Sequence, residues 1–430
     1  MNIKELYRLY CEHPVVTTDS RTCAAGSIYF ALRGESFDGN RFAADALQKG
    51  CAYAVVDNAD YATDERCILV ADALQTLQEL ASHHRRALGL PVLQITGSNG
   101  KTTTKELCAA VLSQRYRTRF TQGNLNNHIG VPRTLLSLTA EDEMAVVETG
   151  ANHPGEIAEL SQIVDPDCGL ITNVGRVHLE GFGSIEGVLR TKAALYDYLR
   201  QKRGTFVFLY GDNAMLTDAA KGLRTFTYGQ AGKDYDVEGE VVGCNPFLLF
   251  RWRPRGGEWQ EVQTQLIGAY NIDNALAACA VGLRFGVTSE KISEAIGNYR
   301  PTNSRSELRR TERNTLIVDA YNANPTSMKA ALENFRQIDA PKKVAILGAM
   351  GELGATSAED HAQLVALADS LGLDDLWLVG TAFAPFANAH RVFSDVDAAK
   401  EALQEKPFDG ALIFIKGSHS TRLYELPALL

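Results

Sequence analysis

Thr96-Gly97-Ser98-Asn99-Gly100-Lys101-Thr102-Thr103 follows the apolar run Val92-Leu93-Gln94-Ile95 and opens a helix-forming stretch reaching Leu112. A strand, a glycine-rich turn and a helix in that order aim backbone N–H groups and a helix N-terminus at one point. That arrangement suits phosphate oxygens. In this reading Gly97, Ser98, Asn99, Gly100 and Thr103 form the cradle. Lys101 neutralises the β- and γ-phosphates, and the Thr102 hydroxyl ligates Mg²⁺. The generic pattern asks for glycine at position 95, where Ile95 stands, so a plain turn carrying a surface lysine is the alternative.

Downstream of this turn, strands alternate with helices as in βαβ units. Residues 92–95, 144–147 and 169–174 are short apolar runs suited to a buried parallel sheet. Glu148 ends the second run, where a nucleotide's Mg²⁺ would need a hard oxygen ligand; a strand-end surface charge is the bland rival. His178 follows the third run and would reach the same sheet edge, although a lone histidine is more often structural. The helix expected over 184–200 carries Ile185, Val188, Leu189, Tyr196 and Leu199 in one stripe, and Lys192 falls inside it. Desolvation lowers a lysine's pKa, and a neutral amine can add CO₂ to become a carbamate. Periodicity alone does not separate that from a lysine snorkelling at the stripe's edge. Residues 206–266 carry Gly, Pro and polar alternation, which suggests an antiparallel excursion, and a helix over 271–285 closes the unit. Asn271 and Asn274 stand at its start, able to pair with adenine or to cap the helix.

On the N-terminal side, strands at 27–32 and 52–56 flank a helix at 41–48, and a helical stretch at 74–88 ends before Pro91. On the C-terminal side, strands at 316–318, 343–347, 375–379 and 411–415 alternate with helices in a doubly wound pattern. Asp319 closes the first of these, placed to accept ribose hydroxyls or merely to stabilise a turn. Pro325 suits a first helical position, with Asn324 as its cap. The fold expected is therefore α/β in three domains: 1–88, 89–301 with the P-loop and a parallel sheet, and 302–430, Rossmann-like.

The chain has 430 residues, 43 Lys+Arg and 52 Asp+Glu, a formal net charge of −9. With no basic excess to neutralise phosphates, no nucleic-acid partner is expected. No run of about 18 apolar residues occurs, so no membrane partner is expected either. The N-terminus, Met1-Asn2-Ile3-Lys4-Glu5-Leu6, has charges where a signal peptide needs its apolar core. The eight cysteines are scattered without a CxxC pair, so most read as small buried hydrophobes and a cytoplasmic location is expected.

Taken together these residues resemble the Mur ligases over essentially the whole chain. Thr18-Asp19-Ser20-Arg21, Gly26-Ser27-Ile28-Tyr29-Phe30-Ala31-Leu32-Arg33-Gly34 and Phe37-Asp38-Gly39 resemble that family's UDP-sugar-binding first domain, and the turn at 96–103 resembles its own P-loop. Two stretches are similar to the branch that adds D-Ala-D-Ala. They are Gly123-Asn124-Leu125-Asn126-Asn127-His128-Ile129-Gly130-Val131-Pro132 and Asp319-Ala320-Tyr321-Asn322-Ala323-Asn324-Pro325-Thr326-Ser327-Met328.

The resemblance implies that Thr102 and Glu148 hold one Mg²⁺, and His178 with a carbamylated Lys192 a second. It implies that Asn271, Asn274, Arg305, Asp319, Tyr321 and Asn322 contact ATP. Asp19, Ser20, Arg21, Asn124, Asn126, Asn127, Lys416 and Ser418 would bind the UDP-MurNAc-tripeptide and the incoming D-Ala-D-Ala, with Lys101, His178 and Lys192 catalytic. A monomer is expected. Ala349 stands where the family has Asp in a GDM-like turn, and His419 where Arg often follows Lys-Gly-Ser. Two alternatives stay open: another amide ligase on this scaffold, such as folylpolyglutamate synthase, and a nucleotide-gated binding protein needing no acceptor amine.

Overall fold

A computed structural model describes residues 1–177, 179–301 and 305–430. The expected start of the third domain at residue 302, like His178, lies outside the described residues.

The first unit is a four-stranded parallel sheet of β1 (Val16–Thr17), β2 (Ile28–Phe30), β3 (Tyr53–Val56) and β4 (Cys67–Leu69), in that order. Helices α1 (Ile3–Glu12), α2 (Ala43–Gln48) and α3 (Ala73–Leu88) cover it. The expected helix at 41–48 is shorter, because residues 39–42 form a 3₁₀ turn capped by the Asp38 carboxylate. Asp72 caps α3 at its start, and Gly89, in the left-handed region at φ 66°, ends it. This helix also docks the unit onto the next one. Arg85 Nε donates to the Val164 carbonyl at 3.1 Å, and a His84–Leu138 carbonyl hydrogen bond of 2.9 Å lies alongside. Gln78 Nε2 donates to the His128 carbonyl at 3.0 Å and so holds the 124–128 loop.

The central unit contains β5 (Val92–Thr96), α4 (Lys101–Leu112), β6 (Thr118–Phe120), α5 (Gly130–Leu135), β7 (Met144–Glu148), α6 (Glu156–Val164), β8 (Cys168–Ile171) and α7 (Ile185–Gln201). It continues through β9 (Phe206–Tyr210), β10 (Thr225–Gln230), β11 (Val237–Cys244), β12 (Phe247–Pro254), β13 (Gln260–Ile267), α8 (Ile272–Arg284) and α9 (Ser289–Asn298). Its nine strands run in the order β13-β12-β11-β10-β9-β8-β5-β7-β6. The antiparallel excursion is narrower than the sequence suggests. Strands β9 and β10 continue the parallel sheet, and only β11, β12 and β13 pair antiparallel. The apolar run of β9, Phe-Val-Phe-Leu-Tyr, is buried in the middle of the sheet, which accounts for that difference. The chain leaves β5 towards β6 on one side and β8 towards β9 on the other. A crevice therefore opens beyond the carboxyl ends of β5 and β8, the usual ligand position in such sheets.

The third unit holds β14 (Glu307–Arg310), β15 (Thr315–Asp319), α10 (Pro325–Gln337), β16 (Lys343–Gly348), α11 (Ser357–Asp369), β17 (Asp375–Val379), β18 (Arg391–Phe393), α12 (Val396–Glu405) and β19 (Leu412–Lys416). Its sheet order is β14-β15-β19-β16-β17-β18, parallel except for β14. Asn324 caps α10 through Ser327 N–H, with Pro325 in the first turn, as its sequence indicates. Ala349 packs against Gly380, where an added Cβ would lie 2.7 Å from the Ala349 Cβ; a longer side chain there would meet that backbone. Cys51, Cys108, Cys168 and Cys279 are buried, while Cys11 is exposed and Cys23, Cys67 and Cys244 are half-buried. All eight are free thiols, and all but Cys11 lie in a hydrophobic core or pack against one. Among the described residues, no helix is long and apolar enough to cross a membrane.

Candidate active site

A cavity of about 700 Å³ lies where the three units meet. It is lined by Gln78 of the first, Lys101, Thr102 and Glu148 of the second, and Asp319 and Lys416 of the third.

The P-loop side is built by strand register. Ile95 pairs with Glu148 and Thr96 with Ile171, so the loops after β5, β7 and β8 leave from one edge. Gly97 has φ +142°, and a Cβ there would lie 2.0 Å from Thr172 Oγ1; only glycine fits. Gly100 has φ +77° and is pressed against Asn274 Oδ1. The loop is braced from β8's exit: Thr172 Oγ1 and Asn173 Nδ2 donate to the Asn99 carbonyl at 2.6 and 3.1 Å, and Asn173 Oδ1 accepts from Asn99 N–H at 2.9 Å. Ser98 Oγ accepts from Gly175 N–H at 2.9 Å. Lys101 Nζ donates to the Gly97 and Ser98 carbonyls, both at 2.9 Å. Burial pulls its pKa down to about 8, against the opposing charge of Glu148 and with help from Arg305. Thr102 is buried at the first turn of α4, on the same cavity wall.

Glu148 is 1% exposed. Its Oε1 accepts from Asn126 Nδ2 at 2.8 Å, while Oε2 has no partner among the described residues. A buried carboxylate oxygen without a donor is costly and favours a cation. Among the described residues no group of three or more His, Cys, Asp or Glu could hold a metal. The donors present are therefore one carboxylate and one hydroxyl, a set suited to Mg²⁺, which keeps water and phosphate oxygens as its other ligands.

Lys192 is 1% exposed within α7. Its Nζ donates to the Ala151 carbonyl at 3.3 Å and sits 5.4 Å from the Phe182 ring centroid. Burial, followed by the charge of Lys101, lowers its pKa to about 7. This distinguishes the buried amine from a snorkelling side chain, since almost none of it reaches solvent.

In the third unit Asp319 and Lys416 are the last residues of paired parallel strands and stand in register. Lys416 Nζ donates to Asp319 Oδ2 at 2.5 Å and to the Asn322 carbonyl at 3.1 Å. The Arg305 guanidinium lies 3.9 Å from the Tyr321 ring centroid.

Several expected site residues fall elsewhere or are otherwise engaged. Asp19, Ser20 and Arg21 sit at the end of β1, away from the cavity wall, with Arg21 forked onto Asp19 at 2.9 and 2.8 Å. That guanidinium holds the Asp19 carboxyl down at about 2. Ser418 is also off the wall, its Oγ donating to the Ala349 carbonyl at 2.7 Å. Asn274 accepts from Thr104 Oγ1 at 3.0 Å and donates to Asn271 Oδ1 at 2.8 Å. With both ends of its amide engaged, Asn274 is a strut between α8 and the P-loop rather than a free base-reading group. Asn271 lines the cavity and donates to the Ile267 carbonyl. Asn127 Oδ1 accepts from Gly130 N–H at the start of α5, and Asn124 lines the cavity beside it. His178 lies outside the described residues.

Asn173, Glu156 and Glu159 line the cavity, and Thr172 braces the Asn99 carbonyl behind it, without a local sequence signal. Each is a polar residue just past a strand or in the first turn of a helix, and only the topology brings it there.

Fold and site define a three-domain α/β protein whose glycine-rich strand-to-helix loop opens on a cavity shared by all three units. Family comparisons agree: the Mur ligase family catalytic domain matches residues 14–85, the Mur ligase middle domain 95–282, and the Mur ligase glutamate ligase domain 304–419. The chain belongs to the Mur ligase family. It is 34% identical to the UDP-N-acetylmuramoyl-tripeptide–D-alanyl-D-alanine ligase of Bacillus subtilis, with 96% of this chain and 92% of the relative covered. To the Escherichia coli enzyme of the same name it is 35% identical, with the same coverage. A crystal structure of MurF from Acinetobacter baumannii superposes with a TM-score of 0.87 at 32% identity, covering 96% of this chain and 92% of that one.

Proposed function

We propose that this chain joins D-Ala-D-Ala to the terminal carboxylate of UDP-MurNAc-tripeptide with ATP as the energy source, forming a peptidoglycan precursor. The observation that carries the reading is the single cavity shared by the P-loop, Glu148, the 124–128 loop and the Asp319–Lys416 pair. A carboxylate has a poor leaving group and does not condense with an amine in water. Its oxygen therefore attacks the γ-phosphorus of ATP, the bond to the β–γ bridging oxygen breaks, and ADP leaves. The dipeptide's amine then attacks the acyl carbon, loses a proton, and inorganic phosphate departs.

Attack of one anion on another needs positive charge, which Lys101 provides once it swings from its own loop carbonyls to the phosphates. Thr102 and Glu148 are the residues that would hold Mg²⁺, which offsets charge on phosphate oxygens. Burial lowers the Lys192 pKa to about 7, so its amine can add CO₂ to give a carbamate with release of a proton; carbamylated Lys192 and His178 would be the groups to hold a second ion. Asn271, Arg305, Asp319, Tyr321 and Asn322 face the nucleotide, with Asn274 behind the loop. Asn124, Asn127 and Lys416 face the peptide and the incoming amine, and Asp19, Ser20 and Arg21 the distant UDP end. The third unit, seated over the P-loop, excludes water from the acyl phosphate.

The test is incubation with ATP, UDP-MurNAc-tripeptide and either D-Ala-D-Ala or single amino acids, with products weighed by mass spectrometry. The pentapeptide mass with the dipeptide alone is the expected result. Ligation of single amino acids instead, or ATP hydrolysis indifferent to any acceptor, overturns the reading.

A further inference from the structure

We infer that Asn126 is not a substrate contact but the positioning residue that holds the Glu148 carboxylate so that its free oxygen is presented to the nucleotide's divalent cation. The inference rests on the reading of Glu148 as a metal ligand. Asn126 Nδ2 donates to Glu148 Oε1 at 2.8 Å, and the Asn126 carbonyl accepts from Gly150 N–H. The carboxamide lies flat on Gly150, where an added Cβ would meet Cγ, Nδ2 and Oδ1 all at 3.2 Å. Two residues past the end of β7, the lack of a side chain at Gly150 gives the amide its seat.

The start of the same loop is fixed as well. Thr121 Oγ1 accepts from Glu148 N–H at 3.0 Å, and the Thr121 carbonyl accepts from the buried Lys105 ammonium at 2.8 Å. Glu148 is therefore gripped from loop residues on both sides of Gly123, at its backbone and at one carboxylate oxygen. The other oxygen is left buried and, among the described residues, unpaired.

The grip matters because of what stands opposite. Lys101 and Glu148 lie within electrostatic reach of one another on the cavity wall. A carboxylate free to rotate would be drawn to that ammonium, and the phosphate-binding cation and the metal-binding anion would neutralise each other. A neutral amide donor on Oε1 keeps them apart without adding charge. Residues orienting a metal ligand in this way commonly change metal affinity by about 10- to 100-fold when removed.

The experiment measures Mn²⁺ binding to the full-length protein with ADP by electron paramagnetic resonance, for Asn126→Leu and Asn126→Ala, beside Glu148→Gln. Leucine keeps the bulk without the donor; alanine serves if the leucine variant does not fold, thermal melting deciding which is used. The expected result is at least a tenfold loss of Mn²⁺ affinity in the Asn126 variants and in Glu148→Gln. Metal-free ADP affinity and the KM for D-Ala-D-Ala should stay unchanged in the Asn126 variants. Weakened Mn²⁺ binding in Glu148→Gln alone overturns the role of Asn126 and spares that of Glu148. Unchanged Mn²⁺ binding in all three overturns the metal-ligand reading of Glu148 and this inference with it. A raised peptide KM in the Asn126 variants with intact Mn²⁺ affinity returns Asn126 to substrate binding.

Discussion

Asn324 Nδ2 donates to Asn99 Oδ1 across 2.8 Å, tying the helix cap of the third unit to the P-loop of the second. The same Asn324 uses its Oδ1 to accept from Ser327 N–H at 2.9 Å. One side chain therefore starts α10 and fastens the unit that carries it to the phosphate cradle. Arg176 and Asp360 make a second, longer bridge between these units at 3.7 Å.

Because those two tasks use different atoms, they can be separated. Asn324→Ser keeps an oxygen for the cap, and serine and asparagine cap about equally well. It loses the amide that reaches Asn99. A hydrogen bond of this kind contributes about 0.5–1.5 kcal/mol. The KM for ATP should rise about two- to tenfold while the melting temperature stays within about 2 °C. An unchanged KM would mean that the contact does not help to hold the nucleotide-bound arrangement.

Lys101→Ala removes an ammonium that rests on the Gly97 and Ser98 carbonyls. Loop shape survives through the Thr172 and Asn173 braces, which do not involve the lysine. Acceptor-dependent ADP release should fall by about 10²- to 10³-fold, the scale expected for losing one preorganised donor at a centre of developing charge. Near-normal ligation, followed by a coupled ADP assay, would count against the scheme.

How much of this could be read from sequence divides along a physical line. The P-loop, the strand-end Glu148 and the Asn324 cap are local: three to eight neighbouring residues determine strand, turn and helix, and periodicity exposes them. Lys192 was half legible, since its place in an apolar stripe is visible but its full burial depends on the α6 and Phe182 surfaces folded against it. The partners are what sequence hides. Nothing around Asn126 says that its amide turns to Glu148, 22 residues on. Nothing in Asn274 says that its carboxamide is shared between Thr104 and Asn271. The parallel pairing of β9 and β10 is hidden for the same reason, because Gly- and polar-rich connections between strands imitate hairpin turns.

Gly97→Ala tests the steric origin of the loop. At φ +142° alanine is strained, and its Cβ would fall on Thr172 Oγ1. Either the loop moves off β8 or Thr172 abandons the Asn99 carbonyl. Nucleotide affinity, by isothermal titration, should fall at least tenfold. Gly204→Ala, at φ +83° with open space around it, serves as the control that has strain without collision. Equal effects of the two substitutions on nucleotide binding would contradict the argument.

Lys192 carries a stability signature of its own. Its pKa is about 7 in the folded chain and about 10.4 when unfolded. Below pH 7 both states hold the proton, and the folded state bears the full cost of a buried ammonium. Between pH 7 and about 10.4 the unfolded chain binds more protons, so this group's contribution to stability rises with pH. Lys192→Met fills the same space without a titrating group. In CO₂-free buffer the variant should be the more stable form at pH 6, by about 1–3 kcal/mol. That advantage should shrink above pH 7 by up to about 1.4 kcal/mol per pH unit, as read from urea melts at pH 6, 7, 8 and 9. The same substitution should abolish ligation, which would mark Lys192 as a group kept in the core at the expense of stability. A gap between parent and variant that stays constant across the four pH values would show that the amine is not held neutral by its surroundings.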